Sequence, residues 1–413
     1  MTHPEQLDRT GARRPVLALL ASATALAAAA LLGAAPAGAA QRAVDIAPGV
    51  TYRTLDITAG AGATRAHVLD VDLSEPKVRL GLLYPGAVAA RAPVSRLADA
   101  QGALGGVNGD FFNITESQHP GVAATGAPVG PAVTDGRPLK AAVPAGQRFG
   151  PALPPGTSTE DVFGVAGDGR ARLDALRLAG SVGTAEGTLP LGGFNQYALP
   201  VGSIGAFTGE WGEVSRLRAT CGTDTERAAP CSTDTYEVTV RDGEVVSASD
   251  TPGSGAIGPD TTVLVGREEG AAKLRKLSTG EAVRLTHGLK AASGTAYRFA
   301  LGGFPVLAGG RPPAGLDDRT SAVRTAVGVA DGGRRVLLLA VDGASAYRTG
   351  LTIAEVAHTL ADLGATEGFS LDGGGSTTLV ARQPGASGVS VRNHPSGGAE
   401  RPVPNGIGVF PAS

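Results

Sequence analysis

The stretch Arg335-Val336-Leu337-Leu338-Leu339-Ala340-Val341-Asp342-Gly343 decides the fold of this chain. Its apolar run has no polar alternation, which predicts a strand that is buried on both faces. The residues from Arg324 to Ala330 predict a preceding strand, and Asp331-Gly332-Gly333 predicts the turn between the two. This hairpin register places Arg324 next to Val341 and therefore beside Asp342.

A helix is predicted after this hairpin, over residues 353–363, because apolar residues recur there at helical spacing. The apolar stripe consists of Ile353, Val356, Ala357, Leu360 and Leu363. Thr352 and Glu355 predict a capping box at its start, and Gly364 predicts its end. A strand then runs from Thr366 to Leu371. The order strand, helix, strand predicts a βαβ crossover with parallel strands, which brings Asp342 and Asp372 to one edge of the sheet.

A glycine-rich turn follows the second of these strands, in Leu371-Asp372-Gly373-Gly374-Gly375-Ser376-Thr377-Thr378. Glycine has no Cβ, so its backbone N–H groups can approach a ligand closely. An acid beside backbone and hydroxyl donors predicts a site for a phosphorylated or sugar substrate. Arg324, Asp342 and Asp372 are predicted to cluster around this turn.

The rest of the chain is read as short strands, with a short helix over 94–100 and an irregular surface loop over 120–160. The predicted fold class is α+β, or mixed α/β: a β-rich mixed sheet with few helices, with the C-terminal hairpin and βαβ unit carrying the site. The predicted organisation is an N-terminal signal over 1–40, a β-rich extension over 41–100 and the main domain over 101–413.

The N-terminus has the pattern of a cleaved export signal. Arginines precede an apolar segment over 16–32, and Ala37-Gly38-Ala39 matches a signal-peptidase site. An uncleaved anchor is the alternative. The signal predicts a secreted or cell-envelope protein, with no stable membrane span after cleavage.

Two further sequence features bear on location and partners. Cys221 and Cys231 form an even pair in an exported chain, which predicts a local disulfide. The formal net charge of −2 provides no basic field, so nucleic acid is excluded as a partner.

Another polar group lies in Gly105-Gly106-Val107-Asn108-Gly109-Asp110-Phe111-Phe112-Asn113. One interpretation is an Asn-Gly turn followed by two phenylalanines that are buried in the core. The other is that the side chains of Asn108 and Asp110 line a cleft and bind a ligand. The segment alone does not decide between them.

These segments together resemble the phosphodiester glycosidase family. The resemblance runs in order from the Asn108 segment through Arg324-Thr325-Ala326-Val327-Gly328 and the Asp372 turn to Asn405-Gly406-Ile407-Gly408-Val409. It implies that residues 101–413 form a phosphodiester glycosidase domain. It also implies an exported hydrolase that cleaves the bond between a sugar anomeric carbon and phosphate, in a glycosyl 1-phosphodiester of envelope or extracellular glycans.

Roles follow from this chemistry. The catalytic candidates are Asp372, Asp342 and Asp110, and the choice of nucleophile or base stays open. Arg324 is the predicted phosphate clamp, because guanidinium binds phosphate with a bidentate fork. The other substrate-binding candidates are Asn108, Gly373, Gly374, Gly375, Ser376, Thr377 and Asn405.

Two other functions remain open. One is a metal-dependent phosphodiesterase in which Asp110, Asp342 and Asp372 bind Ca²⁺ or Mg²⁺. The other is a non-catalytic envelope glycan-binding protein. The sequence predicts no cofactor and no metal ligands, although a divalent metal is left open. A nucleotide-binding P-loop is excluded, since no lysine follows Gly375-Ser376.

Overall fold

The predicted C-terminal hairpin lies inside a seven-stranded sheet. The computed structural model describes residues 43–343 and 350–412, so the predicted signal over 1–40 falls outside the described residues. Strands are numbered in chain order. In spatial order, the strands of this first sheet are β1 (Val44–Ala47), β2 (Val50–Ala59), β3 (Gly62–Asp72), β20 (Arg335–Val341), β19 (Thr325–Ala330), β21 (Glu367–Ser370) and β18 (Phe304–Leu307).

The order of strands in this sheet confirms the predicted crossover. β20 and β21 each pair antiparallel with β19, so they run parallel to each other on its two sides. The backbone N–H of Val341 donates to the carbonyl of Arg324 at 2.9 Å, as the predicted hairpin register requires. Asp342 and Asp372 therefore follow strands that end at the same edge of the sheet.

The crossover helix α3 (Ile353–Asp362) has the predicted capping box, in which Thr352 and Glu355 satisfy each other's backbone N–H groups. Its buried residues Val356 and Leu360 face the sheet. A Cβ on Gly368 of β21 would lie 2.9 Å from the Leu360 Cδ1 atom, so glycine at this position allows the helix to approach closely.

Three further sheets complete the described strands. The second consists of β10 (Gly187–Pro190), β9 (Ala171–Thr184), β8 (Asp161–Ala166), β17 (Tyr297–Gly302), β6 (Ala132–Thr134) and β7 (Arg137–Lys140), with β16 (Arg284–Ala291) paired to β9. The third consists of β11 (Gly193–Phe194), β12 (Ile204–Phe207), β15 (Thr261–Arg267), β13 (Thr235–Arg241) and β14 (Glu244–Ser249). The fourth consists of β23 (Val389–Val391), β22 (Leu379–Arg382), β5 (Gly105–Asn108), β24 (Gly406–Pro411) and β4 (Val78–Leu83).

Helices are few, as predicted. Besides α3, the described residues contain α1 (Val94–Ala100) and α2 (Glu269–Leu274), together with short 3₁₀ turns. The chain is thus a β-rich α+β protein. No helix in the described ranges has the length and apolar character needed to cross a bilayer.

The prediction of an irregular surface loop over 120–160 is wrong where the segment forms strands or is buried, although most of it lies outside strands. Strands β6 and β7 lie in this segment, and Val129, Leu139 and Val143 are buried in the main core. Its Pro and Gly content marks turns between short buried strands, which the sequence pattern did not separate from an exposed loop.

The segment over 41–100 contributes to two sheets of the described fold. β3 pairs with β20 in the first sheet, and β4 pairs with β24 in the fourth. The predicted domain boundary at residue 100 stays a prediction. The predicted disulfide between Cys221 and Cys231 is present.

Candidate functional site

The side chain of Asn108, at the end of β5, ties three segments together. Its Nδ2 donates to the Asp372 carbonyl at 2.7 Å. Its Oδ1 accepts from the Thr325 hydroxyl at 2.8 Å and from the Thr378 N–H at 3.1 Å. Asn108 is fully buried. These contacts make it a positioning residue that fixes the backbone at Asp372, although it was predicted to bind a sugar hydroxyl.

The next two residues bring two acids together. The N–H of Asp372 donates to the Gly109 carbonyl at 2.9 Å. Burial raises the pKa of Asp372, and the nearby charge of Asp110 adds to this shift. Asp110 is held in turn by Asn405, whose Oδ1 accepts from the Asp110 N–H at 2.9 Å. The site therefore forms where the end of β5 meets the end of β21.

Asp110 is buried and linked to a buried lysine through one peptide group. Its Oδ2 accepts from the Gly130 N–H at 2.6 Å, while the Lys140 Nζ donates to the Val129 carbonyl of the same peptide at 3.1 Å. Lys140 also donates to the carbonyls of Gly130 and Ala141. Burial raises the pKa of Asp110, and the charge of Lys140 opposes that shift. The peptide polarises between ammonium and carboxylate and couples the two charges.

Arg148 supplies a second cation at this site. Its guanidinium carbon lies 4.7 Å from the centre of the Phe111 ring and 5.5 Å from that of Phe304. Its charge is felt by both Asp110 and Asp372. One of its N–H₂ groups, Nη2, is buried without a hydrogen-bond partner among the described residues.

Two other buried polar atoms beside Asp110 have no partner in the described part of the chain. They are Oδ1 of Asp110 and Nδ2 of Asn405. A buried polar atom without a partner carries a free-energy cost, and in native proteins it often marks a position that a ligand or water fills. Together with Nη2 of Arg148, these atoms provide two donors and one acceptor for a bound molecule.

Asp372 is partly exposed and has its own set of donors. Its Oδ1 accepts from the Gly373 N–H at 2.9 Å. Burial raises its pKa to about 6, against the lowering effects of the Ser376 hydroxyl and the Arg401 charge. The Nη1 of Arg401 donates to the Ser376 Oγ at 3.3 Å. A Cβ on Gly375 would lie 2.3 Å from the Arg401 Nη2, so a side chain at this position would displace the guanidinium.

The glycine turn uses most of its own backbone donors. The N–H of Gly374 donates to the Val323 carbonyl at 2.8 Å, and those of Ser376 and Thr377 donate within the turn. The Thr377 hydroxyl lies 3.2 Å from that of Thr325 and is buried. These groups shape the turn, whereas they were predicted to line a phosphate pocket.

Arg324 lies at the predicted place in the backbone, but its guanidinium is directed elsewhere. Its Nε donates to the Leu351 carbonyl at 3.0 Å and its Nη2 to the Thr320 carbonyl at 2.7 Å. The predicted cluster of this guanidinium with Asp342 and Asp372 therefore receives no support from its described hydrogen bonds, because a strand register fixes the backbone but not the direction of a long side chain. Among the described residues, Arg148 and Arg401 bring positive charge to Asp372.

Asp342 is fully buried and belongs to a different cluster. Its Oδ1 lies 3.2 Å from Nε2 of His67 and 3.0 Å from Nδ1 of His394. Burial raises its pKa, but the close polar contacts of these histidines with the carboxylate outweigh burial and hold the pKa below its usual value. Its described hydrogen bonds thus do not join it to Asp110 or Asp372, and the predicted ligand set of three aspartates receives no support.

Five charged or titratable residues at these two clusters were not among the site residues predicted from the sequence. They are Lys140, Arg148, Arg401, His67 and His394. Lys140 and Arg148 fall in the segment mistaken for a loop, and His67 reaches Asp342 through the pairing of β3 with β20. The apolar setting of Lys140 in Pro-Leu-Lys-Ala-Ala was the available signal for a buried lysine.

A comparison with family models matches residues 234–410 to the phosphodiester glycosidase family, as the predicted resemblance requires. The match includes Asp342, Asp372 and Arg401, whereas Asp110 and Arg148 lie before it. No curated protein matches the sequence.

Solved structures show the same fold. A hypothetical protein from Synechocystis matches with a TM-score of 0.70 at 19% identity, covering 91% of this chain and 64% of that one. The chain therefore spans less than two thirds of that protein. A Burkholderia pseudomallei K96243 protein described as exported matches with a TM-score of 0.64 at 24% identity, covering 86% of this chain and 76% of that one.

The zebrafish N-acetylglucosamine-1-phosphodiester alpha-N-acetylglucosaminidase catalytic domain, auto-inhibited by its pro-peptide, is a more distant match. Its TM-score is 0.42 at 16% identity, with 90% of this chain and 87% of that one covered. At that score it does not bear on the fold or the activity of this chain.

Proposed function

We propose that this chain hydrolyses glycosyl 1-phosphodiesters at the bond between the anomeric carbon and the phosphate oxygen. The observation that carries the proposal is the convergence of Asp110 and Asp372 with the unpartnered N–H₂ group of Arg148. The family match over 234–410 supports the reaction class.

The charges of the site favour an anionic substrate. Two carboxylates, Asp110 and Asp372, face three cations, Lys140, Arg148 and Arg401. Burial lowers the pKa of Lys140 to about 7, so the full positive charges are those of Arg148 and Arg401, which suit the negative charge of a phosphodiester. Arg148 has an unpartnered N–H₂ group in a mostly buried environment. Charge-assisted hydrogen bonds are strong there because little water screens them.

Phosphate is a good leaving group, so the reaction depends more on stabilising charge than on protonating the departing oxygen. Arg148 and Arg401 stabilise the phosphate as it leaves, and a carboxylate opposes the positive charge that develops on the sugar ring. We assign that carboxylate to Asp372, because it is the more exposed of the two acids. It acts as nucleophile or as the base for water.

The charges of Asp110 and Lys140 contribute to the electrostatic field around Asp372. Their charges are linked through the Val129–Gly130 peptide and are enclosed by the core. The unpartnered Oδ1 of Asp110 is an acceptor for a sugar hydroxyl. Asn405 holds the backbone of Asp110 and offers its own unpartnered Nδ2 as a donor.

The natural substrates we propose are envelope or extracellular glycans. The disulfide and the predicted export signal support an extracytoplasmic location. So does the likeness of the fold to a protein described as exported.

The test is a hydrolysis assay on a methyl diester of N-acetylglucosamine 1-phosphate and on UDP-N-acetylglucosamine, run in ¹⁸O-water. Cleavage at the anomeric carbon leaves the released phosphate monoester unlabelled. A metal-dependent phosphodiesterase would put the label into the phosphate instead. Parallel reactions with a chelator show whether the activity needs a metal.

Two outcomes would contradict the proposal: labelled phosphate, or no product from any glycosyl 1-phosphodiester. Binding without turnover would favour the glycan-binding alternative. The matched control is an ordinary methyl glycoside of the same sugar, which lacks the phosphate that Arg148 and Arg401 would bind. We expect it to react far more slowly.

A further inference from the structure

His67, Asp342 and His394 form a cluster that the proposed reaction does not use. His67 belongs to β3, Asp342 follows β20, and His394 follows β23. One nitrogen from each histidine and one carboxylate oxygen lie within 4.8 Å of one another. Two histidines and one carboxylate are a common ligand set for zinc.

Two polar atoms of this cluster lack a hydrogen-bond partner among the described residues, although Nδ1 of His394 lies at hydrogen-bond distance, 3.0 Å, from Oδ1 of Asp342. Nε2 of His67 lies 3.2 Å from Oδ1 of Asp342, yet it has no hydrogen-bond partner among the described residues. The same is true of Oδ2 of Asp342. Both side chains are buried, with 4% and 0% of their surface exposed. These two atoms are therefore available to a bound ion.

The separations agree with those of ligands around a metal ion. Zinc–nitrogen and zinc–oxygen bonds of about 2.0–2.2 Å place tetrahedral ligand atoms about 3.3 Å apart. The distances from Oδ1 of Asp342 to Nε2 of His67 and to Nδ1 of His394 are 3.2 and 3.0 Å.

The ring of His67 is held from its other side. Its Nδ1 lies 2.7 Å from the hydroxyl of Tyr52, on the neighbouring strand β2. When Nδ1 donates to this hydroxyl, Nε2 carries the free lone pair that a metal needs. Such outer contacts fix the tautomer of metal-binding histidines.

The backbone holds His394 in place as well. Its N–H donates to Oδ1 of Asp342 at 2.5 Å, and its carbonyl accepts from the Gly343 N–H at 2.7 Å. The preceding Asn393 is buried and bonds to Leu379 and Thr377. The His394 side chain itself is 64% exposed, so the cluster opens to solvent on this side.

Two arginines, Arg392 and Arg65, bring positive charge close to Tyr52 and oppose cation binding beside it. The guanidinium carbon of Arg392 lies 5.1 Å from the centre of the Tyr52 ring. The negative charge of Asp342 offsets this effect, and neutral imidazoles add none. We expect Arg392 to weaken the site without abolishing it.

We propose that His67, Asp342 and His394 bind a divalent transition metal ion of the zinc class, with the remaining coordination position open to solvent. Three protein ligands with one open position are typical of zinc sites that bind a water or a substrate group. Nitrogen-rich ligation favours Zn²⁺ and Co²⁺ over Ca²⁺ and Mg²⁺, which take oxygen ligands. This inference is independent of the proposed hydrolysis, because none of the three residues is assigned a role in it.

The experiment uses the full chain without a histidine tag, because such a tag would itself bind metal. The protein is first treated with a chelator to remove bound ions. Titration with Zn²⁺ is followed by calorimetry, and titration with Co²⁺ by visible absorption. We expect one ion to bind per chain, and we expect the visible spectrum of bound Co²⁺ to show that the ion has a low coordination number. We expect no binding of Ca²⁺ or Mg²⁺ at the same concentrations.

Variants locate the ion. His394→Ala removes an exposed ligand with little risk to folding, and we expect it to abolish or strongly weaken Zn²⁺ binding. Tyr52→Phe should weaken binding by about 10–100-fold, as for other residues that orient a metal ligand. The matched control is His358→Ala, which removes an exposed histidine of α3 and should leave binding unchanged.

The proposal would be overturned by the absence of Zn²⁺ binding to the wild-type chain. It would equally be overturned if wild type and His394→Ala bound with the same stoichiometry and affinity. Circular dichroism of each variant confirms that the fold is intact. Because the readout is binding, failure here leaves the hydrolysis proposal standing, and loss of hydrolysis in Asp372 variants leaves this one standing.

Discussion

The N–H of Asp372 donates to the carbonyl of Gly109 at 2.9 Å and thereby joins two sheets at the point where their strands end. β5 in the fourth sheet leads into Gly109, and β21 in the first sheet leads to Asp372. The side chain of Asn108 adds a second link to the Asp372 backbone at 2.7 Å. Two acids from distant parts of the sequence become neighbours through these bonds, so each can be tested by its effect on the other.

Replacing Asp372 by asparagine should abolish hydrolysis while the fold persists. Loss of a carboxylate that acts as nucleophile or base is expected to lower kcat by at least about 10²–10⁴-fold. Asparagine has nearly the same shape and can still accept from the Gly373 N–H, so the melting temperature should stay at or above that of wild type. Rates and thermal unfolding of Asp372→Asn measure both effects. The matched control is Asp318→Asn, an exposed acid outside the site. Full activity in Asp372→Asn would remove the carboxylate mechanism.

The same residue should make stability depend on pH. Burial raises the pKa of Asp372 from 3.8 to about 6, so between these values the folded chain holds a proton that the unfolded chain has released. This extra proton stabilises the folded chain by its full amount below about pH 4. The stabilisation is lost as the pH rises through 6. Asp372→Asn lacks this term and should gain roughly 1–3 kcal/mol relative to wild type between pH 4 and pH 7.

Denaturant unfolding of both proteins across this pH range measures the difference. Asp318→Asn again serves as the control, because that acid is exposed and should show a flat difference from wild type. A constant difference between wild type and Asp372→Asn at every pH would show that the pKa of Asp372 is not raised in the folded state.

The sequence was sufficient for the C-terminal half of the architecture, because the signals there are local. A continuous apolar strand, a turn and a capped amphipathic helix each follow from neighbouring residues, and the crossover rule places Asp342 and Asp372 at one edge. The resemblance to a known family added Asp110 and Asn405, which local patterns left undecided.

Some contacts depend on the direction of a side chain or on the pairing of strands that are far apart in the sequence. Such contacts could not be predicted from local sequence patterns. Arg324 lies in the predicted register, yet its long side chain turns to the carbonyls of Leu351 and Thr320. His67 meets Asp342 only because β3 pairs with β20. Lys140, in β7, and Arg148, directly after a 3₁₀ turn, lie among Pro and Gly residues, where a short buried strand looks like a loop.

Arg148 should bind the phosphate of the substrate through its planar fork. Lysine keeps the charge at this position but loses the second N–H₂ group and the flat stacking on Phe111 and Phe304. We expect Arg148→Lys to lower kcat/KM by about 10²–10³-fold, the cost of removing one preorganised donor. The matched control is Arg79→Lys. In the wild-type chain the Arg79 guanidinium carbon lies 4.7 Å from the centre of the Phe410 ring, away from the acids.

The substrate dependence of the Arg148→Lys effect distinguishes recognition from a general loss of fold. The variant should lose most on glycosyl 1-phosphodiesters and little on any slow reaction with a neutral glycoside. An equal loss on both substrates, with unfolding midpoints below wild type, would assign Arg148 to structure instead.

Gly109 should tolerate no side chain, because its position sets both acids. A Cβ there would lie 2.3 Å from Oδ1 of Asn405 and 2.6 Å from Cδ1 of Leu301. Oδ1 of Asn405 is the acceptor for the Asp110 N–H, so displacing it moves Asp110 relative to Asp372. We expect Gly109→Ala to destabilise the chain by about 1–3 kcal/mol, as overpacked cores do.

The loss of activity in Gly109→Ala should exceed what this destabilisation explains, because the folded fraction stays near one while the acids are displaced. Activity measured well below the melting temperature, together with urea unfolding, separates the two effects. Gly397→Ala is the matched control, since a Cβ there meets nothing within 4 Å. Wild-type activity in a folded Gly109→Ala protein would show that the spacing of Asp110 and Asp372 does not govern the reaction.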